Sequence, residues 1–174
     1  DAALVGYARR FDAPGFALED LRVSGREAAS AAAAVGRSFV RALDRAAAQI
    51  EEFHRRQLRT GLVAADRPGT LLGQLVRPVE RAGVYVPGGR GGQTPLVSSV
   101  LMGAIPARVA GVARIAMATP PMADGTVNPH LIVAAKRAGV DEIYKVGSAW
   151  AIAALAYGTE TIPKVDVIVG PGNL

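Results

Sequence analysis

From Gly83 onward, short apolar runs alternate with helical segments, and this alternation restricts the fold more than any other feature of the sequence. The apolar runs are Gly83–Val86, Arg114–Ala118, Glu142–Val146 and Asp166–Val169, each expected to be a buried strand. Between them, about Leu96–Ala110, Pro129–Ala138 and Ala149–Ala156 have helical length and composition. Strand and helix alternating every ~25–30 residues build βαβ units, and βαβ units build a parallel sheet. Right-handed crossovers then place the helices against the sheet faces. The punctuation agrees. Asn128-Pro129 offers an amide cap followed by a proline suited to the first helical position. Gly111 and Gly139 follow their helices where a left-handed residue ends a helix.

The part before residue 83 has a different character: it is charged and rich in alanine. Ser24 to Leu58 is expected to form one long helix, because Val35, Phe39, Ala42 (or Leu43), Ala46, Ile50 and Phe53 recur at helical spacing, with Gly36 as the residue that weakens its continuity. Ser24 and Glu27 have the spacing of a capping box. Residues 4–10 fit a short helix, and the loose pattern from Gly61 to Pro78 fits a hairpin. The expected fold class is α/β: a Rossmann-like parallel sheet with helices on its faces, preceded by a largely helical N-terminal region. The expected division is 1–82 for the mainly helical, incomplete part and 83–174 for the Rossmann-like part, truncated at its C-terminal end.

Composition removes several function classes. The 174 residues include no cysteine, which excludes disulfides, thiolate metal clusters and a cysteine nucleophile. The net charge is +5, but the basic residues are scattered singly or in pairs along the chain, so nucleic acid is not expected as a partner. No apolar run approaches the ~18 residues of a membrane span, and no membrane partner is expected. Two histidines 76 positions apart, His54 and His130, make no zinc site. His54 is expected on a solvated face and His130 in a structural role.

Ligands of an open parallel sheet bind beyond the carboxyl ends of its strands. Four loops meet that description: 85–94, Thr119-Pro120-Pro121, Gly147-Ser148-Ala149-Trp150 and Gly170-Pro171-Gly172-Asn173. Each carries glycine or proline, which suits close approach of a ligand to backbone. The first loop fits either an anion held on free amides or a plain tight turn. It fails the dinucleotide fingerprint G-x-G-x-x-G, since Thr94 stands at the third glycine position, and no acidic residue ends the second strand to take a ribose hydroxyl. Trp150 fits either a packing aromatic or a platform for a flat ligand. No general base of the usual kind stands in these loops.

The series 83–89 (Gly-Val-Tyr-Val-Pro-Gly-Gly), 98–102, 105–111, 138–144, 151–160 and 163–173, with Tyr7-Ala-Arg-Arg-Phe-Asp12 before it, resembles the histidinol dehydrogenase family. The resemblance covers the whole chain, as roughly the first half of a family member. It implies a zinc- and NAD-dependent enzyme, a homodimer, that oxidises L-histidinol through the aldehyde to L-histidine in the last step of histidine biosynthesis, in the cytoplasm. It assigns NAD contacts to Tyr85 and Asn173, and a third to position 150. There the family's Gly-Gly-Ala-Gln reads Gly147-Ser148-Ala149-Trp150, and an indole offers no carbonyl acceptor. The family's zinc ligands and acid–base pair have no counterpart in these residues, so no catalytic or metal-ligating residue is assigned and the 174-residue chain alone is expected to be inactive. It is expected to self-associate through surface that a longer chain would cover. Two alternatives stay open: a paralogous zinc/NAD dehydrogenase of another polar alcohol, suggested by Trp150, and a non-catalytic excised Rossmann-like module.

Overall fold

A computed structural model describes residues 1–89 and 94–171. The N-terminal part begins with α1 (Ala2–Phe11), a 3-10 turn (Leu18–Leu21), α2 (Gly25–Ala34) and α3 (Arg37–Arg55). The expected long helix is thus two helices. Val35 and Gly36 take extended backbone between them, and Val35 turns into the core. Breaking there lets α2 pack on α5 while α3 packs on α4. Only half of the expected capping box forms: the Glu27 N–H donates to Ser24 Oγ at 3.1 Å, while the Glu27 carboxylate accepts from Lys145 Nζ at 3.2 Å. The buried ammonium outcompetes the backbone amide for that carboxylate.

A hairpin follows, β1 (Leu62–Arg67) and β2 (Thr70–Gln74), with Val63 opposite Gly73. The βαβ series then runs β3 (Arg81–Tyr85), α4 (Val97–Val109), β4 (Arg114–Thr119), α5 (Pro129–Ala138), β5 (Glu142–Lys145), α6 (Ser148–Tyr157) and β6 (Val167–Val169). Its four strands are parallel, in the order β5-β4-β3-β6. The caps are as expected: Asn128 Oδ1 accepts from the His130 N–H at 3.0 Å, and Gly139 ends α5 at φ 85°.

The period of two along the strands divides the core between two layers. Val84, Ile115, Met117 and Ile143 face α2, α3, α4 and α5. Ala116, Ala118, Tyr144 and Val146 face α1 and α6, where Phe16, Leu21 and Leu155 complete the packing. A helix close to the sheet needs a small residue beneath it. At Gly83 a Cβ would lie 3.1 Å from both Leu155 and Val165 side chains, which is tighter than ordinary contact. The result is a sheet covered on both faces, with its carboxyl edge open to α1.

Candidate functional site

Tyr85 ends β3, the second strand from the β6 edge, and its hydroxyl reaches across to α6, where it accepts from the Ser148 N–H at 3.0 Å. The hydroxyl hydrogen is therefore free to be donated to a ligand. The backbone around this bond is tight. A Cβ on Gly147 would lie 2.6 Å from Pro120 Cβ, and one on Gly170 would overlap the Tyr85 carbonyl oxygen. Side chains at either position would force apart the loops after β3, β4, β5 and β6. Ser148 itself sits at φ 53°, a left-handed conformation that serine adopts at a cost.

These loops enclose a cavity of about 540 Å³, lined by Tyr85, Pro120, Ser148, Ile152, Val169 and Asp12 among others. That volume lies in the range of small-molecule sites. The lining is chiefly apolar, with three polar side chains (Asp12, Tyr85 and Ser148) converging on it. Asp12 comes from the N-terminal part, where it follows α1 and its N–H closes that helix on the Ala8 carbonyl oxygen at 2.9 Å. Its Oδ2 is buried and has no hydrogen-bond partner among the described residues. Burial holds its carboxyl above the usual carboxylate range.

The sequence-assigned residues fall as follows. Tyr85 lines the cavity. Trp150 stands two residues into α6 and stacks on α1: its ring lies 4.8 Å from Tyr7 and 5.4 Å from Phe11 between centroids, at 15° and 23°. Its Nε1 is buried without a partner among the described residues. Asn173 lies outside the described residues, as do residues 90–93 of the first loop. Asp12 and Ser148 join the cavity without any site assignment from the sequence. Asp12 was visible only as the end of Tyr7-Ala-Arg-Arg-Phe-Asp12, and nothing local places a helix terminus across a sheet. Ser148 signals itself only as a serine where the resembling pattern has glycine.

His130 makes edge contact with Phe39 at 4.6 Å between centroids, in the structural role expected for it. Half-buried His54 has its Nδ1 2.6 Å from Gln57 Oε1. Among the described residues no three His, Cys, Asp or Glu side chains converge as metal ligands. A further cavity of about 460 Å³ lies near the amino end of β5, between Arg22, Ser24, Lys136 and Glu142. Its charges are answered within the protein: Arg22 pairs with Glu142 at 3.2 Å.

The family model described as histidinol dehydrogenase matches residues 1–174. A histidinol dehydrogenase of Desulfotalea psychrophila is 56% identical over 173 residues, covering 99% of this chain and 40% of that protein. One of Oleidesulfovibrio alaskensis is 54% identical over 174 residues, again 40% of its length. The crystal structure of histidinol dehydrogenase from Elizabethkingia anophelis superposes with a TM-score of 0.92 at 40% identity, covering 99% of this chain and 39% of that one. The chain therefore spans about two-fifths of the length of the relatives it matches.

Proposed function

The chain belongs to the histidinol dehydrogenase family, and we propose that it supplies the cofactor-binding portion of an NAD-dependent enzyme that oxidises L-histidinol to L-histidine. The observation that carries this reading is the cavity at the carboxyl ends of the strands, with the Tyr85 hydroxyl free to donate into it. That is where an open parallel sheet holds a ligand. Tyr85 would orient the dinucleotide by donating that hydrogen bond, and the Ser148 N–H holds the phenol in place. Gly147 and Gly170 let the loops around the cavity close on Pro120 and on the Tyr85 carbonyl. Asn173 is assigned a second contact by the resemblance, and position 150 a third. Trp150 would serve the site by fixing α1 against α6, through its stack on Tyr7 and Phe11.

When bound, NAD would accept the hydride taken from the substrate alcohol. The described residues do not fit the zinc that the resemblance implies, since no three suitable ligands converge. No step is drawn through it, and its ligands would have to come from other residues. The division at residue 83, homodimer formation and a cytoplasmic site of action belong to the same proposal. A different substrate alcohol would rest on the indole at position 150, and stacking against α1 already accounts for an aromatic there.

The test is NADH formation from NAD and L-histidinol with added zinc. The 174-residue chain is expected to give none, and the protein at its relatives' full length is expected to give turnover that Tyr85→Phe reduces about tenfold through weaker NAD binding. Turnover by the chain alone, or a full-length protein inactive on L-histidinol, would overturn the assignment.

A further inference from the structure

We propose that Trp150 is a positioning residue for the cavity: its stack on α1 holds Ser148 in left-handed backbone, and so keeps the Ser148 N–H on the Tyr85 hydroxyl. The inference rests on the reading of that cavity as the dinucleotide site. It gives position 150 an indirect part in binding instead of a contact with the ligand.

Three observations lead to it. First, α6 divides its side chains between two neighbours. Ser148, Ala149 and Ile152 line the cavity. The Trp150 ring lies nearly flat on Tyr7 and Phe11 of α1, at 4.8 and 5.4 Å between centroids. Tyr7 and Phe11 stand one turn apart with their own rings 6.4 Å from each other, so the indole spans two rings of one helix. Its Nε1 is buried with no acceptor among the described residues, and stacking fixes the ring. Second, Ser148 is held at φ 53°. A residue with a Cβ stays in that region only where its surroundings force it to. Third, the N–H so placed is the one that donates to the Tyr85 hydroxyl, at 3.0 Å.

Ser148 is anchored on both sides. Gly147 packs on Pro120 so closely that a Cβ there would lie 2.6 Å from the proline Cβ, which fixes the chain entering Ser148. Trp150, two residues on, packs against the buried cluster shared by α1 and α6, which fixes the helix leaving it. Held at both ends, Ser148 keeps its left-handed conformation. Releasing the second anchor lets the first turn of α6 shift and Ser148 relax to negative φ, and its N–H then leaves the Tyr85 hydroxyl.

The experiment measures NAD affinity by calorimetry for the protein at its relatives' full length. The variants are Trp150→Leu, Trp150→Phe, Phe11→Leu and Tyr85→Phe, with Trp150→Leu and Phe11→Leu made again in a Ser148→Gly background. Trp150→Leu keeps an apolar side chain but no ring, and is expected to weaken NAD about tenfold. Trp150→Phe keeps a ring and is expected to lose no more than about threefold. Phe11→Leu removes one ring from the α1 side, where Phe11 is 56% exposed, and is expected to weaken NAD about threefold. Glycine takes a positive φ without strain. Measured against Ser148→Gly alone, Trp150→Leu is therefore expected to cost no more than about twofold. The inference is overturned if Trp150→Leu leaves NAD affinity unchanged. It is also overturned if Trp150→Leu costs the same factor in both backgrounds, which is what a purely structural role or a direct ligand contact would do. If Trp150→Leu does not fold, Phe11→Leu decides in the same way, its loss being expected to vanish in the Ser148→Gly background. If Tyr85→Phe weakens NAD in those cases, the cavity remains the dinucleotide site and only the role of Trp150 falls. If NAD does not bind, or Tyr85→Phe has no effect, both fall together.

Discussion

At the scale of single residues, Ser148 is where local conformation and function pull apart. Its N–H is aimed at the Tyr85 hydroxyl, and holding it there places a serine at φ 53°. Left-handed backbone costs a residue with a Cβ about 1 kcal/mol. Ser148→Gly should therefore raise the unfolding free energy by about 1 kcal/mol in a denaturant titration; a loss of that size would show that the hydroxyl makes a contact worth more than the strain. Tyr144 gives a second prediction. Burial and the Glu142 carboxylate push its phenol up to about 12 from an ordinary value of 10. The neutral phenol is thus favoured by the fold. The stability it contributes is complete below pH 10 and is lost as pH rises from 10 to 12. Compared with Tyr144→Phe, the protein should lose more stability across that window; equal slopes would contradict it. Residue identity made Tyr85 legible in the sequence through its motif. Asp12 was not legible as part of the cavity, because its place there depends on a long-range meeting between the end of α1 and loops more than 70 positions away, beginning at Tyr85.

At the scale of elements, the βαβ half was nearly all legible. Its punctuation is local: Pro129 starts α5 and Gly139 ends it. The strand ends shifted by only one or two positions, as at β3, which begins at Arg81 instead of Gly83. The N-terminal helices were harder. Periodicity marked one apolar stripe, and only tertiary packing decided that Val35 and Gly36 break it, so that α2 and α3 meet different partners. Glu27 shows the same limit, since its spacing from Ser24 indicates a capping box while its carboxylate serves Lys145. That ion pair ties α2 to the end of β5. The Lys145 side chain is 6% exposed, with Glu27 at 3.2 Å and Asp20 at 4.0 Å. Removing one partner of a buried pair strands the other. Lys145→Met should cost about 3 kcal/mol in unfolding free energy, with the Glu27→Gln, Lys145→Met double variant costing less than the sum of the singles. Strictly additive losses would mean that the pair does not couple the two elements.

At the scale of the whole molecule, the β1–β2 hairpin stands apart from both core layers. Val63 is 75% exposed, Leu71 73%, Leu72 63% and Leu75 72%. A two-stranded hairpin is marginal in water without cover, and an apolar one is adhesive. The 174-residue chain should therefore sediment as species heavier than 18.0 kDa, and replacing Leu71 and Leu72 by lysine should shift it towards that mass. A clean monomer without the substitutions would contradict this. No helix of the described residues is long and apolar enough to cross a membrane. The sequence alone indicated the hairpin but not its exposure, since alternation does not say what will cover a strand.

The Ser148 amide reports directly on whether the cavity beside Tyr85 is the dinucleotide site. Its N–H is hydrogen-bonded to the Tyr85 hydroxyl, so a ligand engaging that hydroxyl must alter its environment. An amide-resolved NMR titration of the isotope-labelled chain with NAD should move the Ser148 and Gly170 resonances together, saturably, and Tyr85→Phe should weaken the response. Shifts confined to Arg22, Ser24 and Lys136 at the opposite end of the sheet, or none at all, would contradict the assignment.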